Sequence, residues 1–380
     1  MPETKPNRAE AAWLSHLELL AELPYPGRVL MPVVLAALRR EFDGAALGIF
    51  LWVENGRDEL KPSAIWCERV NGAMTDLMRT RLPETFEGFP LKPQLDTDGE
   101  LIRIMQAQPG DADSWVYKEG FHPLGVHWGL SAPLLDEQRH CHGFVYIYRS
   151  LGREPWTDDD NQRLKRARNH LRQLGQTASS PLPPCAYRFR HAAQFHFDRD
   201  GRMLARSAQG VELLYQYQDF GEKFLPWNTD SLSALPAHAR AIVTDMCTAL
   251  IRGNDVKPVA NTVDLAAGRF EFHAEPLTAV GSGEASVAVR VAQYEPLDIA
   301  VARALMNTSY SLQEKRILVA STRKPSLQAL ADYLGVTVGT LKIYINRLQA
   351  KAEQPSRQAI IDALLADAGN DGSASSHRPA

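Results

Sequence analysis

The stretch Ser326-Leu327-Gln328-Ala329-Leu330-Ala331-Asp332-Tyr333-Leu334-Gly335-Val336-Thr337-Val338-Gly339-Thr340-Leu341-Lys342-Ile343-Tyr344-Ile345-Asn346-Arg347-Leu348 reads as two short helices joined by a tight turn. Ser326 is a good N-cap, because its hydroxyl can accept one of the N–H groups that a first helical turn leaves without a partner; Leu327, Leu330, Ala331 and Leu334 then recur at helical spacing. Gly335 follows directly, where a helix ends at least cost in a left-handed conformation that a Cβ resists. Thr337 is the next N-cap, and Leu341, Ile345 and Leu348 form an i, i+4, i+7 apolar stripe. That stripe decides which face is left over. Gly339, Lys342, Ile343, Asn346, Arg347 and Ala350 share the opposite face, with Thr340 beside them. Such a face carries cations for phosphates, an amide for a base edge and small residues that permit close approach. Two helices about a glycine-containing turn match the helix-turn-helix layout, whose second helix enters the major groove.

Together with its surroundings this stretch resembles the LuxR-type helix-turn-helix domain. Tyr310-Ser311-Leu312-Gln313-Glu314-Lys315-Arg316-Ile317-Leu318 looks like the family's opening, and Leu330-Ala331, Leu334, Val336-Thr337 and Thr340-Leu341-Lys342 look like its middle. Ala329 stands where the family usually has Glu, Tyr344 where it often has His, and Ala352-Glu353 where it has Leu-Gly. The resemblance implies an all-α four-helix domain over residues 310–366 that contacts double-stranded DNA. The contact residues expected from face and family together are Thr337, Gly339, Thr340, Lys342, Ile343, Asn346, Arg347 and Lys351. A homodimer would match two half-sites about one helical turn apart. The alternatives are a helical bundle with an ordinary solvated basic face, and a module that uses the same helices to hold another regulator.

Charge is distributed accordingly. From Tyr310 to Leu365 eight basic residues (Lys315, Arg316, Arg323, Lys324, Lys342, Arg347, Lys351, Arg357) stand against four acidic ones (Glu314, Asp332, Glu353, Asp362), about +4 in a chain of net charge −3. A locally basic end on a mildly acidic remainder suits a DNA-docking module on a sensor.

A chain of 380 residues has room for two or three domains, and its 44% hydrophobic and 23% charged residues are those of a soluble globular protein. The start leads into an amphipathic helix rather than an apolar run, so no signal peptide is expected, and no apolar stretch reaches the roughly 18 residues of a membrane span. Cys67, Cys141, Cys185 and Cys247 are scattered without a CxxC spacing, as expected of a reduced cytoplasmic protein without a zinc ribbon. There is no Walker A loop, Rossmann glycine fingerprint, GxSxG elbow or HExxH pair, so neither an enzyme nor a cofactor is expected.

Residues 1–42 read as two amphipathic helices, Arg8 to Leu23 and Arg28 to Phe42, the first with Trp13, Leu17 and Leu20 on one stripe. Residues 43–176 form a mixed α/β region: strands at Leu47 to Val53 and Ser63 to Glu68, helices at Asn71 to Arg79 and Gly99 to Gln106, and a hairpin of Val126 to Leu135 with Gly143 to Arg149. Thr157 then caps a long helix burying Leu164, Ala167, Leu171 and Leu174, with Asp158-Asp159-Asp160 at the positive end of its dipole. The phrase Gly143-Phe144-Val145-Tyr146-Ile147-Tyr148-Arg149, followed by Trp156-Thr157-Asp158-Asp159-Asp160 and a helix, resembles a GAF-type sensor domain, which implies a pocket for a small-molecule effector. Trp115, Tyr117, Phe121 and Trp128 are the candidate pocket residues, with ordinary core packing as the alternative.

Residues 177–186, rich in Pro and Ser, read as a linker. Residues 187–298 open with Phe195-His196-Phe197-Asp198-Arg199-Asp200-Gly201, continue through helices near Val211 to Tyr217 and Ala239 to Ile251, and end in strands at Val259 to Leu265, Phe270 to Glu275 and Ala285 to Ala292; the order is similar to a PAS-like domain. Residues 299–309 read as a connecting helix and 367–380 as a disordered tail. The expected fold class is α+β: mixed α/β GAF- and PAS-like sensor domains followed by the four-helix LuxR-type domain. His140-Cys141-His142 can bring only its two histidines to one face of a strand, so no metal site is expected; Arg163-Leu164-Lys165-Arg166-Ala167-Arg168 reads as a solvated helix face.

Overall fold

A computed structural model describes residues 8–54, 61–67, 103–106, 118, 122, 125–138, 140–150, 152–176, 182–207, 209–210, 213, 237–265, 268–278, 281 and 283–374. The chain divides into two compact units, one made of Tyr25–Leu182 and Phe189–Tyr294, the other of Met1–Pro24, Pro183–Arg188 and Glu295–Ala380. The fold class is α+β, as expected. The two helices expected together in residues 1–42 fall in different units: α1 (Arg8–Ala21) belongs with the C-terminal helices and α2 (Gly27–Glu41) with the sheets.

In the larger unit, α2 packs on the first of two sheets. That sheet contains β1 (Ala45–Glu54), β2 (Lys61–Cys67), β3 (Arg103–Gln106), β4 (Val126–Leu135) and β5 (Cys141–Ser150), ordered β2-β1-β5-β4-β3 with antiparallel neighbours. The expected hairpin is β4–β5, with Leu130 opposite Ile147. Both its strands are buried along nearly their whole length rather than in alternation, so both faces of this sheet are covered. Of the helix expected over Gly99 to Gln106, the described part, Arg103-Ile104-Met105-Gln106, is instead strand β3, with Ile104 opposite Leu130, and the rest lies outside the described residues. Two apolar residues between Arg103 and Gln106 are ambiguous by period, and the edge of β4 resolves it. The expected helix at 71–79 lies outside the described residues.

Helix α3 (Asp158–Gln176) covers this sheet and buries Leu164, Ala167, Leu171 and Leu174, as its stripe requires. Thr157 caps it: the Asp160 N–H donates to Thr157 Oγ1 at 3.2 Å while the Asp160 carboxylate accepts from the Thr157 N–H at 2.9 Å. Asp160 is therefore more than a dipole charge, because it also pairs with Arg149 at 3.5 Å and Arg163 at 3.8 Å. Arg149 is itself buried, donates to the carbonyls of Asp43 (2.9 Å) and Pro155 (3.1 Å), and lies 3.7 Å from the centre of the Trp156 ring. The basic run on α3 is not a uniformly solvated face. Arg168 is buried, and Arg163 pairs with the Glu41 carboxylate at the end of α2. Gly27 lets α2 meet α3 closely, since a Cβ there would lie 2.0 Å from the Leu174 carbonyl oxygen.

The second sheet is built from β6 (Tyr187–Asp198), β7 (Met203–Arg206), β8 (Val259–Leu265), β9 (Gly268–Thr278) and β10 (Ala285–Pro296), ordered β7-β6-β10-β9-β8. It repeats the strand order of the first sheet: second, first, fifth, fourth, third. Along β9 burial alternates, and Phe270, Phe272 and Ala274 join Phe195, Phe197, Val287, Val289 and Val291 against Val243, Met246 and Cys247 of α4 (Ala237–Ile251). The Asp198–Gly201 turn forms as its sequence requires, with Asp198 Oδ1 accepting from the N–H of Asp200 at 3.0 Å and of Arg202 at 2.7 Å and Gly201 at φ 80°. The expected helix near Val211 to Tyr217 lies largely outside the described residues.

The smaller unit is helical. It contains α1, α5 (Leu297–Ala304) with a 3₁₀ turn (Leu305–Asn307), α6 (Leu312–Ser321), α7 (Leu327–Leu334), α8 (Val338–Ala352) and α9 (Arg357–Ala374). The helix expected over residues 299–309 is α5 with its 3₁₀ turn, and its first part is buried. Ile299, Ala300, Val301, Ala302 and Leu305 are buried, and α5 packs against α6 and α9. Asp298, fully buried on α5, lies 3.0 Å from the Arg323 guanidinium of the α6–α7 loop. Trp13, Leu17 and Leu20 of α1 are buried as their spacing requires, on α5 and α6. The expected tail also differs, because α9 runs on to Ala374. Ser356 caps that helix, its Oγ accepting from the Ala359 N–H at 3.1 Å, and once a helix is nucleated each further residue adds at little cost.

Candidate nucleic-acid interface

Three side-chain caps set the helices of this interface. Ser311 and Glu314 form a reciprocal capping box at α6, Ser326 Oγ accepts from the Ala329 N–H at 3.1 Å, and Thr337 Oγ1 accepts from the Thr340 N–H at 3.1 Å. Gly335 closes α7 at φ 65°, the left-handed conformation expected of it. Leu341, Ile345 and Leu348 are buried, so the orientation of α8 follows from its apolar stripe. Thr337, Gly339, Thr340, Lys342, Ile343, Asn346, Arg347 and Ala350 are all exposed. The first seven of the eight expected contact residues thus share one open surface at the start and middle of α8.

Lys351 is set apart. Its Nζ donates to the Ser309 carbonyl and the Glu314 carboxylate, both at 3.0 Å, and lies 4.9 Å from the centre of the Tyr310 ring. Partial burial pushes the Glu314 carboxyl up, but the Ser311 N–H and Lys351 outweigh it and hold the group below its ordinary range. Lys351 ties the end of α8 to the start of α6 and is a structural cation.

Other charges counted over residues 310–365 are engaged in the same way. Arg316 is clamped by Glu18, at 2.7 Å, and Glu22, whose hydrogen bonds raise its pKa further. Arg323 is held by Asp298, and its Nη2 donates to the Tyr333 hydroxyl at 3.3 Å. Lys315 is buried, and Arg357 donates to Ser321 Oγ (3.1 Å) and the Pro325 carbonyl (3.3 Å), with burial pushing its pKa down. Because α1 brings its carboxylates to this unit, the local charge of about +4 overstates the cations open to a ligand. Among the described residues Lys342 and Arg347 are exposed and form no ion pair.

The end of α8 carries the mark of the Ala352-Glu353 departure. Glu353 is the C-cap at φ 53°, the one described non-glycine residue with positive φ. A side chain with Cβ resists that conformation, so Glu353→Gly is expected to stabilise the helical unit by about 0.5–1 kcal/mol, read as a raised melting transition. An unchanged or lowered transition would show that the strain is absent.

Of the candidate effector-pocket residues, Trp115, Tyr117 and Phe121 lie outside the described residues. Trp128, on β4, is half-buried; its Nε1 donates to the Arg153 carbonyl at 2.9 Å, which ties β4 to the loop after β5. His140 and His142 converge, as expected, but on a carboxylate: their ring nitrogens lie 3.1 and 3.0 Å from the same Asp136 oxygen. Local desolvation pushes the Asp136 carboxyl up, yet the hydrogen bonds from His142 and His140 bring it down to about 2. Cys141 between them points inward, and burial pushes its thiol up to about 12. Among the described residues no group of three His, Cys, Asp or Glu side chains is arranged to hold a metal ion. Nor, among them, is any helix long and apolar enough to cross a membrane.

Comparison with known proteins finds no matching family model and no matching curated protein. Among solved structures the chain is similar to SdiA in complex with octanoyl-rac-glycerol, at 11% identity over 95% of this chain and 97% of that one, with a TM-score of 0.30. It is also similar to a GAF domain/HD domain protein from Geobacter sulfurreducens (16% identity, 43% of this chain and 95% of that one, TM-score 0.26). A third similar structure is VqmA of Vibrio cholerae in a ligand and DNA complex (16% identity, 47% and 84% covered, TM-score 0.24). Scores at this level assign neither a fold nor a function to this chain.

Proposed function

We propose that this protein is a cytoplasmic, non-enzymatic transcriptional regulator that binds specific double-stranded DNA through α8, under control of its two-sheet sensor region. The observation that carries this reading is the division of α8 between a buried stripe and an exposed face bearing Thr340, Lys342, Ile343, Asn346 and Arg347, behind two side-chain-capped helix starts. Cations, a carboxamide and short side chains on one open helix suit phosphates and base edges together. Binding of a small-molecule effector to the sensor region would shift the balance between DNA-competent and incompetent arrangements by its differential affinity for them. A homodimer would place two copies of α8 on half-sites about one helical turn apart.

The test is selection of random duplexes by the full chain at low and moderate salt, followed by sequencing of what is retained. Enrichment of a two-half-site motif is the expected result; no retention at either salt would sink the reading in favour of a module that holds another protein. Two α8 substitutions refine it. With Lys342 and Arg347 as the open cations, log K should fall with log salt at a slope near −1.8 per protomer, and Lys342→Ala should flatten it by about one unit. Asn346→Ala should instead relax preference at one base pair, at about 1–3 kcal/mol. An unchanged slope in the first variant, or a loss uniform across sequences in the second, would contradict these roles.

A further inference from the structure

We infer that Ile343 reads the methyl group of a thymine, so that each half-site carries a thymine within one or two base pairs of the base met by Asn346. The inference rests on the DNA-binding reading above and deepens it. Two large apolar side chains of α7 and α8 are exposed, Tyr333 at 48% and Ile343 at 54%. Tyr333 is accounted for within the unit: its hydroxyl accepts from Arg323, and the cations of Arg323 and Lys324 lie 5.5 and 5.9 Å from its ring centre. Ile343 has no such role. The buried Leu341, Ile345 and Leu348 fix the rotation of α8 and hold Ile343 outward, between exposed Lys342 and Asn346 on one flank and exposed Arg347 on the other. An aliphatic side chain on a face otherwise fitted for phosphates and base edges needs an apolar partner, and the thymine C5-methyl is the apolar group that the major groove displays. Residues three apart on a helix are neighbours on one face, displaced about 4.5 Å along its axis against a base-pair rise of about 3.4 Å. Ile343 and Asn346 therefore meet adjacent or next-adjacent base pairs.

The experiment takes a duplex retained by the full chain and replaces each thymine in turn by deoxyuracil, which removes only the methyl group. The expected result is a three- to fivefold weakening at one thymine of each half-site, the value of one buried methyl. Ile343→Ala should weaken binding by the same factor and be indifferent to uracil at that position, while Ile343→Val should keep the sensitivity. The sensitive thymine should lie within two base pairs of the position relaxed by Asn346→Ala. Because Ile343 is exposed, an unchanged melting transition for the alanine variant separates lost contact from lost fold. Selective retention with uracil tolerated everywhere, or Ile343→Ala still sensitive at the same thymine, would overturn the inference while leaving the DNA reading intact. If no duplex is retained by the native chain, both fall together.

Discussion

Leu348→Ala is expected to destabilise the helical unit by about 2–5 kcal/mol and, on the DNA-binding function proposed above, to abolish sequence-selective DNA retention, although Leu348 lies on the buried face of α8. Leu348 is fully buried, in line with Leu341 and Ile345, and this stripe sets the rotation of α8. Truncation removes the transfer energy of one methine and two methyl groups and leaves a cavity that helices held by caps and ion pairs close only in part. The check is a denaturant titration of the full chain, read at transitions of both units, beside a binding measurement. A shift confined to one transition, with binding lost in parallel, is expected. Lys342→Ala, at an exposed position of the same helix, should alter binding while shifting stability by no more than about 0.5 kcal/mol. Equal stability losses in the two variants would mean that α8 is not oriented by its apolar stripe.

In the larger unit the greatest effect is expected from Arg149→Ala, at about 3–5 kcal/mol. The Arg149 guanidinium is buried and simultaneously satisfies the carbonyls of Asp43 and Pro155, faces the Trp156 ring and pairs with Asp160. Its removal returns the carbonyls of Asp43 and Pro155, on exposed residues, to water and takes the nearest cation from a carboxylate that is itself buried. Asp160 keeps the Thr157 N–H and hydroxyl, each at 2.9 Å, so Asp160→Asn should cost less than the loss of Arg149. Urea unfolding followed by tryptophan fluorescence measures both variants, with Trp156 in direct contact with the altered group. A loss below about 1 kcal/mol for Arg149→Ala would show that water can replace the guanidinium, and that the site is more open than its burial implies.

Elements specified by residues close in sequence were legible in the sequence itself. Ser326, Gly335 and Thr337 act within one turn of themselves, as do Thr157 and the Asp198–Gly201 turn, and each does what its chemistry requires. The exposed face of α8 was legible for the same reason, since an apolar stripe at i, i+4, i+7 determines both the face that is buried and the one that is not. The failures have a common physical cause. Lys351 reads as a DNA-facing cation because nothing nearby in sequence forecasts Glu314, thirty-seven positions earlier, as its partner. The basic count over 310–365 overstates the open charge because Glu18 and Glu22 reach Arg316 from the other end of the chain. Gly99 to Gln106 reads as helix because so short a segment carries too little periodicity to choose without the edge of β4, which lies beside Arg103–Gln106.

The common strand order of the two sheets has no counterpart in the sequence, where no internal repeat is visible. Sheet order follows from which backbones pair across long separations, and backbone hydrogen bonds are indifferent to side-chain identity. By itself the sequence determined the helix starts and stops, the stripe of α8 and hence the face of α8 that stays open, because those depend on propensity, capping and period within a few residues. Only the tertiary structure decided that α1 joins the C-terminal helices, that Ile299, Val301 and Leu305 are core, and which cations on the helical unit stay open. Those outcomes depend on ion pairs and apolar contacts between segments up to about 300 residues apart, whose free energy exists only once the chain has brought them together.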